Sequence, residues 1–386
     1  MTTQTATQTT QHLLDVLRPQ QQPDTWLQQA QQLHWDDFVV RAIAFGLAPH
    51  VYVQMQAWGA KIPAKAMAKL AITHKAQAKR NEAIYGQLAQ VLAACTQANL
   101  RPVALKGIHL AACYYAEPAL RPMNDIDLLF TPEELPQAEA VLLKLGYGGK
   151  HKSAETGARV TKHTSTFRRS ETKNDDATPN PYLSAGLDRT VEPHSSLEES
   201  WFGLKADMTP GIRERADTAV LANHTCHVLN PTDLLHHICL HFSFHLIQGA
   251  PAFVQLTDLL VITRSNKVEW VTFLQRVQEA NTAGYVLAAL TLAQKLVSAP
   301  VPAEVLAQLA EMTPDNLRQR IAQLDLAYVL RRTQQKPLVS LGDRLRRGFK
   351  DRVEIARWAP TWGEKWRVWQ TAVQFSRTDT AQMLRK

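Results

Sequence analysis

The densest chemistry in this sequence is Asp125-Ile126-Asp127. On an extended strand, residues two apart point to the same face, so Asp125 and Asp127 would present two carboxylates to one site. Acids this close repel, and holding both ionised calls for a compensating cation; carboxylate oxygens are the donors that magnesium prefers. The following Leu128-Leu129-Phe130 would anchor the strand in a core and leave the acids at its solvent-facing start. DxD is a common tripeptide, and alone it reads equally well as a strand end with solvated acids. Its surroundings favour a site. Upstream, a β-like run from Pro102 to Leu105 meets Lys106-Gly107 and a helical segment from Ile108 to Tyr115. That order sets backbone N–H groups and a helix N-terminus beside the acid strand, an arrangement that receives phosphate oxygens. Downstream, Glu192 in Val191-Glu192-Pro193-His194 lies on a later β-like segment. Three carboxylates suffice to hold two magnesium ions about 3.5 to 4 Å apart for an in-line phosphoryl displacement. Pro193 cannot donate to a ladder, so its strand is expected to be an edge or to end there.

The elements that must position these groups follow from the pattern around them. Residues 1–10, a Thr/Gln tract, are expected to be a disordered, frayed terminus. Three-to-four spacing of apolar residues predicts an N-terminal helical region over 11–100. Residues 101–230 alternate strands and helices and read as an α/β core. Within it, Thr131-Pro132-Glu133-Glu134 is a capping box for a helix reaching about Leu145, with Gly146 as its stop. Residues 158–170 and 189–194 read as two further strands, separated by a polar, proline-containing loop over 171–186 that is expected to be mobile. Residues 231–330 are again helical, with Thr232 capping a helix through His245, and 331–386 form a basic, Trp-rich tail.

Leu105-Lys106-Gly107, Tyr115, and the ordered run Leu120-Arg121-Pro122-Met123-Asn124-Asp125-Ile126-Asp127-Leu128-Leu129-Phe130 resemble the core signature of a bacterial family. It is the uncharacterised nucleotidyltransferase family of the DNA polymerase β superfamily. The resemblance runs on through the Thr131–Tyr147 helix and the Val191–His194 segment, which is similar to the family's acid-x-His strand. It ends with the helix carrying Asp233, His237 and His241, and so covers about residues 95 to 265. The superfamily's usual Gly-Gly/Ser turn is here Gly107-Ile108.

The resemblance implies an α/β (α+β) polymerase β-like core sheet between helical flanks. It implies that Asp125 and Asp127 are ligands of both metal ions, and that Glu192 is the third carboxylate, bound to one ion and placed to draw the proton from the attacking group. Gly107 would let nucleotide phosphates approach closely. Lys106 and Arg121 would meet triphosphate charge, in the ground state or as it builds on the leaving pyrophosphate. The implied reaction is transfer of a nucleoside monophosphate from an NTP to a hydroxyl-bearing acceptor, which could be a small molecule, a peptide or a protein. The implied cofactor is two Mg2+ ions, with Mn2+ as the alternative.

His237, His241 and His245 recur every four residues on a helix, with His236 beside them. Such pairs can ligate zinc, but no Cys or carboxylate lies at a complementary spacing, so packing histidines are the preferred reading. His194 could touch substrate or simply bond neighbouring backbone. His163, Arg168 and Arg169 read as a solvated strand face, with a place beside the acceptor or nucleotide as the rival. In the tail, Thr361 and Glu364 form a capping box, and Trp362, Trp366, Trp369 and Val373 share one helical face. An anionic membrane, RNA or an acidic partner could meet this face, but packing of the Trp face on the domain is preferred.

The chain has 386 residues, 45% of them hydrophobic, a formal net charge of +8 and four cysteines with no CxxC spacing. This excludes a wholly disordered chain, and the sparse cysteines suit buried reduced thiols better than a disulfide framework or zinc site. No apolar run of the roughly 18 to 20 residues needed to span a bilayer occurs, and the start lacks a secretory signal, so a cytoplasmic location is expected. The charge is uneven. Residues 331–386 hold 14 Lys/Arg against five Asp/Glu, a net +9, which leaves 29 against 30, or −1, for residues 1–330. The core therefore carries no general attraction for nucleic acid, and no specific nucleic-acid partner is expected. Two rivals to an enzyme remain: a non-catalytic nucleotide-binding or toxin-antitoxin-like interaction protein retaining the fold, and a membrane- or RNA-associated adaptor acting through the tail.

Overall fold

The structure, a computed structural model, describes residues 3–151, 165–169, 189–250, 253–333 and 341–371. The loop expected over 171–186, and His163, lie outside them.

Five helices open the chain: α1 (Thr3–Asp15), α2 (Pro23–Ala30), α3 (Trp35–Ala44), α4 (Ala48–Ala57) and the 34-residue α5 (Ala64–Gln97). The Thr/Gln tract expected to fray is helical from Thr3. Thr10 is buried and bonds back to the Ala6 carbonyl, while Leu13 and Leu14 are fully buried, so one face of this polar-looking helix is anchored in the core.

The α/β region follows, with β1 (Val103–Ala104), α6 (Lys106–Cys113), a 3-10 turn (Pro118–Leu120), β2 (Asp125–Leu129) and α7 (Leu135–Lys144). Strands β3 (Gly148–His151), β4 (Ser165–Arg168), β5 (Thr190–His194), β6 (Glu199–Trp201), β7 (Leu204–Ala206), β8 (Asp217–Leu221) and β9 (His224–Val228) complete it. The capping box forms as read: Glu134 N donates to Thr131 Oγ1 at 3.1 Å, and Thr131 N to Glu134 Oε2 at 2.9 Å. The remaining helices are α8 (Pro231–Gln248), α9 (Val254–Arg264), α10 (Trp270–Glu279), α11 (Ala283–Val297), α12 (Ala303–Glu311), α13 (Asp315–Ala322), α14 (Leu326–Thr333), α15 (Leu341–Ala356) and α16 over 362–371. Asn230, not Thr232, caps α8, its side chain accepting from Asp233 N.

The main sheet has seven strands in the order β3-β4-β5-β2-β1-β9-β8, and β6 and β7 form a separate pair. β2 runs parallel to β5 and antiparallel to β1, and β1 runs parallel to β9. Of the two positions expected from Pro193, an edge or a strand end, β5 is interior but ends at His194, one residue past the proline. Its described pairing with β4 is Phe167 with Val191, two residues before the proline, so the missing N–H falls beyond that pair. The sheet separates two apolar clusters. Ile126, Leu128 and Val191 face Ile84, Leu88 and Val91 of α5 and Val141 and Leu142 of α7, whereas Leu129 belongs to the larger core with α8 and the C-terminal helices. Alternation along β2 and β5 therefore turns Asp125, Asp127, Glu192 and His194 to the α8 side.

Candidate active site

Two neighbouring strands build the site. In the parallel β2–β5 ladder Asp127 pairs with Glu192, so two carboxylates stand side by side on one face. Asp127 is 2% exposed, while Asp125 and Glu192 are half-buried toward the opening. Ligand atoms of Asp127, Glu192 and His194 all lie within 4.8 Å of one another, the one such metal-competent group among the described residues. Asp125 is not part of that group but shares its face of β2. Burial, and then the negative charge of Asp127, push the Asp125 carboxyl up to about 6, against the pull of Lys106 and Arg121.

Asp127 is held from two directions. Its Oδ1 accepts from Lys106 Nζ at 2.9 Å and lies 2.7 Å from His194 Nε2. Lys106 is buried at the start of α6 with φ +47°, a left-handed turn that costs a non-glycine residue about 1–2 kcal/mol and swings the ammonium back under the acid strand. Burial pulls the Lys106 ammonium down, but Asp127, Asp125 and Glu199 together outweigh that and hold it above its ordinary value. Lys106 thus supplies positive charge where the acids crowd, a contact beyond the phosphate partnership that the resemblance implies for it. His194 does not simply bond neighbouring backbone, since its ring nitrogen meets the Asp127 carboxylate.

Arg121, for which the resemblance implies a triphosphate contact, is engaged within the protein. Its Nε and Nη2 donate to Asp258 Oδ1 and Oδ2, both at 2.8 Å, and its Nη1 donates to the Pro122 carbonyl at 2.6 Å. Every guanidinium nitrogen thus has an acceptor inside the protein. Tyr115 Oη adds a 2.6 Å bond to Asp258, whose side chain is fully buried. At Gly107, a Cβ would lie 3.0 Å from Met123 Cγ and 3.5 Å from Arg121 Nη1. The glycine therefore admits the segment that leads into β2, a close approach made by the protein itself.

Sequence reasoning missed the polar stripe of α5. Gln87 clamps the backbone just before β5: its Nε2 donates to Arg189 O at 2.7 Å, and its Oε1 accepts from Arg189 N at 2.9 Å. Asn81 Nδ2 donates to the Pro118 and Arg121 carbonyls, and Arg80 Nη1 to Asn124 Oδ1 at 3.1 Å, so the same helix fixes the entry to β2. The signal was present as buried-type spacing of Gln77, Arg80, Asn81 and Gln87 among apolar residues, but helix patterning cannot name their partners.

Of the α8 histidines, His236 and His237 are buried, and His241 Nδ1 lies 2.9 Å from Glu199 Oε1. Glu199 is a carboxylate supplied by β6, which no spacing along α8 could disclose. Arg169 stacks on Tyr147, 4.7 Å from the ring centroid, and bonds Gln90.

A family model described as uncharacterised nucleotidyltransferase matches residues 31–298. The chain belongs to this family. Membership makes the protein a transferase of the nucleotidyltransferase type, with an NTP as its implied substrate and divalent metal as the general requirement of such enzymes. The mixed α/β architecture agrees, and the matched segment contains every site residue described above. No curated protein and no solved structure matches the chain.

Proposed function

We propose that this nucleotidyltransferase moves a nucleoside monophosphate from an NTP to a hydroxyl-bearing acceptor at the carboxylates of β2 and β5. The observation that carries the reading is the in-register pairing of Asp127 with Glu192, backed by Lys106. The donor set fits a hard divalent cation, since carboxylate oxygens converge with compensating charge nearby. Asp125, Asp127 and Glu192 would hold Mg2+, or Mn2+, as one or two ions. When bound, the metal would polarise the phosphoryl group and neutralise charge on the departing pyrophosphate.

The chain's own groups do the rest. His194 Nε2 and Lys106 Nζ fix Asp127 in one orientation. Glu192, the more open of the paired acids, accepts the proton of the acceptor hydroxyl at a carboxylate oxygen. Lys106 keeps the acids ionised and offers its ammonium to phosphate oxygens. Gly107 keeps the turn close against β2, and Arg121, committed to Asp258, positions that strand's entry in place of a direct role on the triphosphate.

The test is pyrophosphate release from each of the four labelled NTPs with magnesium and mixed acceptors. Release that disappears in Asp127→Asn and Glu192→Gln, with melting temperatures retained, is the expected result. Nucleotide binding without release from any NTP would overturn transfer and leave a non-catalytic nucleotide-binding protein.

A further inference from the structure

The tail offers a surface that the reaction does not use. The face of α16 expected to pack on the domain does so in part: Trp369 packs against the core, but Trp362 is 84% and Trp366 65% exposed, and Phe349 on α15 is 62% exposed, while Val373 lies outside the described residues. These aromatics are held outward by a seated helix. The Thr361–Glu364 capping box forms, Val368 is fully buried, and the Arg367–Val368 backbone presses on the β6–β7 turn. There Gly203, with φ +89°, leaves no room for a side chain: a Cβ would lie 2.9 Å from the Arg367 carbonyl carbon. Trp369, half-buried, packs against Phe349 with ring centroids 5.8 Å apart, so the aromatic stripe continues across two helices.

Cations surround the stripe. Lys365 Nζ sits 4.6 Å from the Trp362 ring centroid, and the side chains of Arg357 and Arg367 are more than half exposed. A cleft of about 630 Å³ is lined by Arg320, Arg357, Lys365 and Trp369, and an adjoining cleft of about 470 Å³ by Arg320, Arg331, Lys350 and Arg357 together with Asp351 and Glu354. The surface lies in the region of net +9, against −1 for the rest of the chain.

We propose that α16 and its neighbouring cations dock the enzyme on an anionic phospholipid surface. Indole rings on a helix flanked by Lys and Arg suit the headgroup boundary, where the apolar ring body and the polar N–H are both satisfied and the cations meet lipid phosphate. Trp362 and Trp366 line neither cleft and stand on an open face that suits a planar partner; of the α16 aromatics Trp369 alone lines a cleft, whereas stacking of successive bases would call for several in one groove. No described helix is long and apolar enough to cross a membrane, so the attachment is to the surface. The docking residues lie outside the matched family segment and apart from the acids, so docking stands independently of the proposed chemistry.

Flotation of the full chain with vesicles tests this. Binding is expected to phosphatidylcholine vesicles containing phosphatidylglycerol, not to phosphatidylcholine alone, and to weaken as salt rises. The double variant Trp362→Ser/Trp366→Ser should lose binding by about tenfold or more, and Arg357→Glu/Lys365→Glu by a similar factor, with melting temperature and turnover unchanged. No binding to the anionic vesicles, or equal binding by both double variants, would overturn the proposal. So would binding of a single-stranded RNA oligonucleotide, lost in the same variants, without vesicle binding, which would assign the surface to nucleic acid.

Discussion

Two buried carboxylate–cation pairs flank the entry to β2, and they are built to opposite ends. Arg121–Asp258 is closed: a two-pronged guanidinium grips both oxygens, Tyr115 adds a third bond, and Asp258 is shut from solvent. Lys106–Asp127 has a single ammonium contact, and two half-buried acids, Asp125 and Glu192, lie beside it. A guanidinium fork locks a geometry, whereas an ammonium is a point charge whose partners can be exchanged. Burial is common to both pairs, so it does not by itself tell a structural pair from one proposed to serve a reaction; the difference lies in the fork that closes one and the neighbouring acids beside the other.

Breaking each pair should therefore register in different measurements. Asp127→Asn is expected to remove turnover by orders of magnitude in a pyrophosphate-release assay while the chain still melts cooperatively. Asp258→Asn should reverse that order, costing about 3–5 kcal/mol in urea unfolding because it strands a buried guanidinium. If Asp258→Asn left stability intact, the closed pair would lose its structural meaning.

Acid gives a finer separation. His50 packs edge-on to Tyr115 with ring centroids 5.6 Å apart, and burial, reinforced by Arg121, pulls its pKa down to about 4. Its folded form stays neutral where the unfolded chain takes up a proton, so stability is full above about pH 6.5 and is lost as pH falls toward 4. The ceiling is about 3 kcal/mol for this residue. Asp125, with its carboxyl raised to about 6, works the other way: the folded form binds its proton first, so its contribution grows as pH falls below 6 and is lost as pH rises through 6. Urea unfolding across pH 7 to 4 should show a net decline, since buried His109 and His236 are also lowered to about 4, and His50→Leu should flatten it.

The smallest of these effects should come from the clamp that aligns the open pair. Gln87→Leu leaves the Arg189 N–H and carbonyl without their side-chain partner and is expected to cost about 1–3 kcal/mol. Its turnover should fall by more than stability predicts, because Arg189 directly precedes the strand that carries Glu192. Equal activity per folded molecule would show that the clamp serves the fold alone.

What was legible in the sequence was local. Both capping boxes need only residues three apart, and the alternation of Asp125, Ile126, Asp127 and Leu128 needs only one strand; all formed as read. What was not legible depended mostly on distant partners, although the cap of α8, at Asn230 and not Thr232, and the β8–β9 hairpin were local. Arg121 looked free for phosphate because Asp258 lies on α9, 137 residues further on. The polar N-terminal tract looked unable to pack because its few apolar residues are buried by the chain's later helices. The β8–β9 hairpin was missed although Ala222 and Asn223, both with positive φ, make its two-residue turn. Asn in such a position was the available sign, but alanine there masks it.

The Asp127–Glu192 register makes the site a check on its own assembly. Its two halves come from β2 and β5, separated in sequence by α7, β3 and β4, and they meet only when β5 has come to lie along β2. A slip of one residue would turn Glu192 to the opposite face and bring the side chain of Val191 or Pro193 toward the acids. On the proposed reading, a chain whose β5 has slipped or not yet docked would lack the paired carboxylates and should release no pyrophosphate.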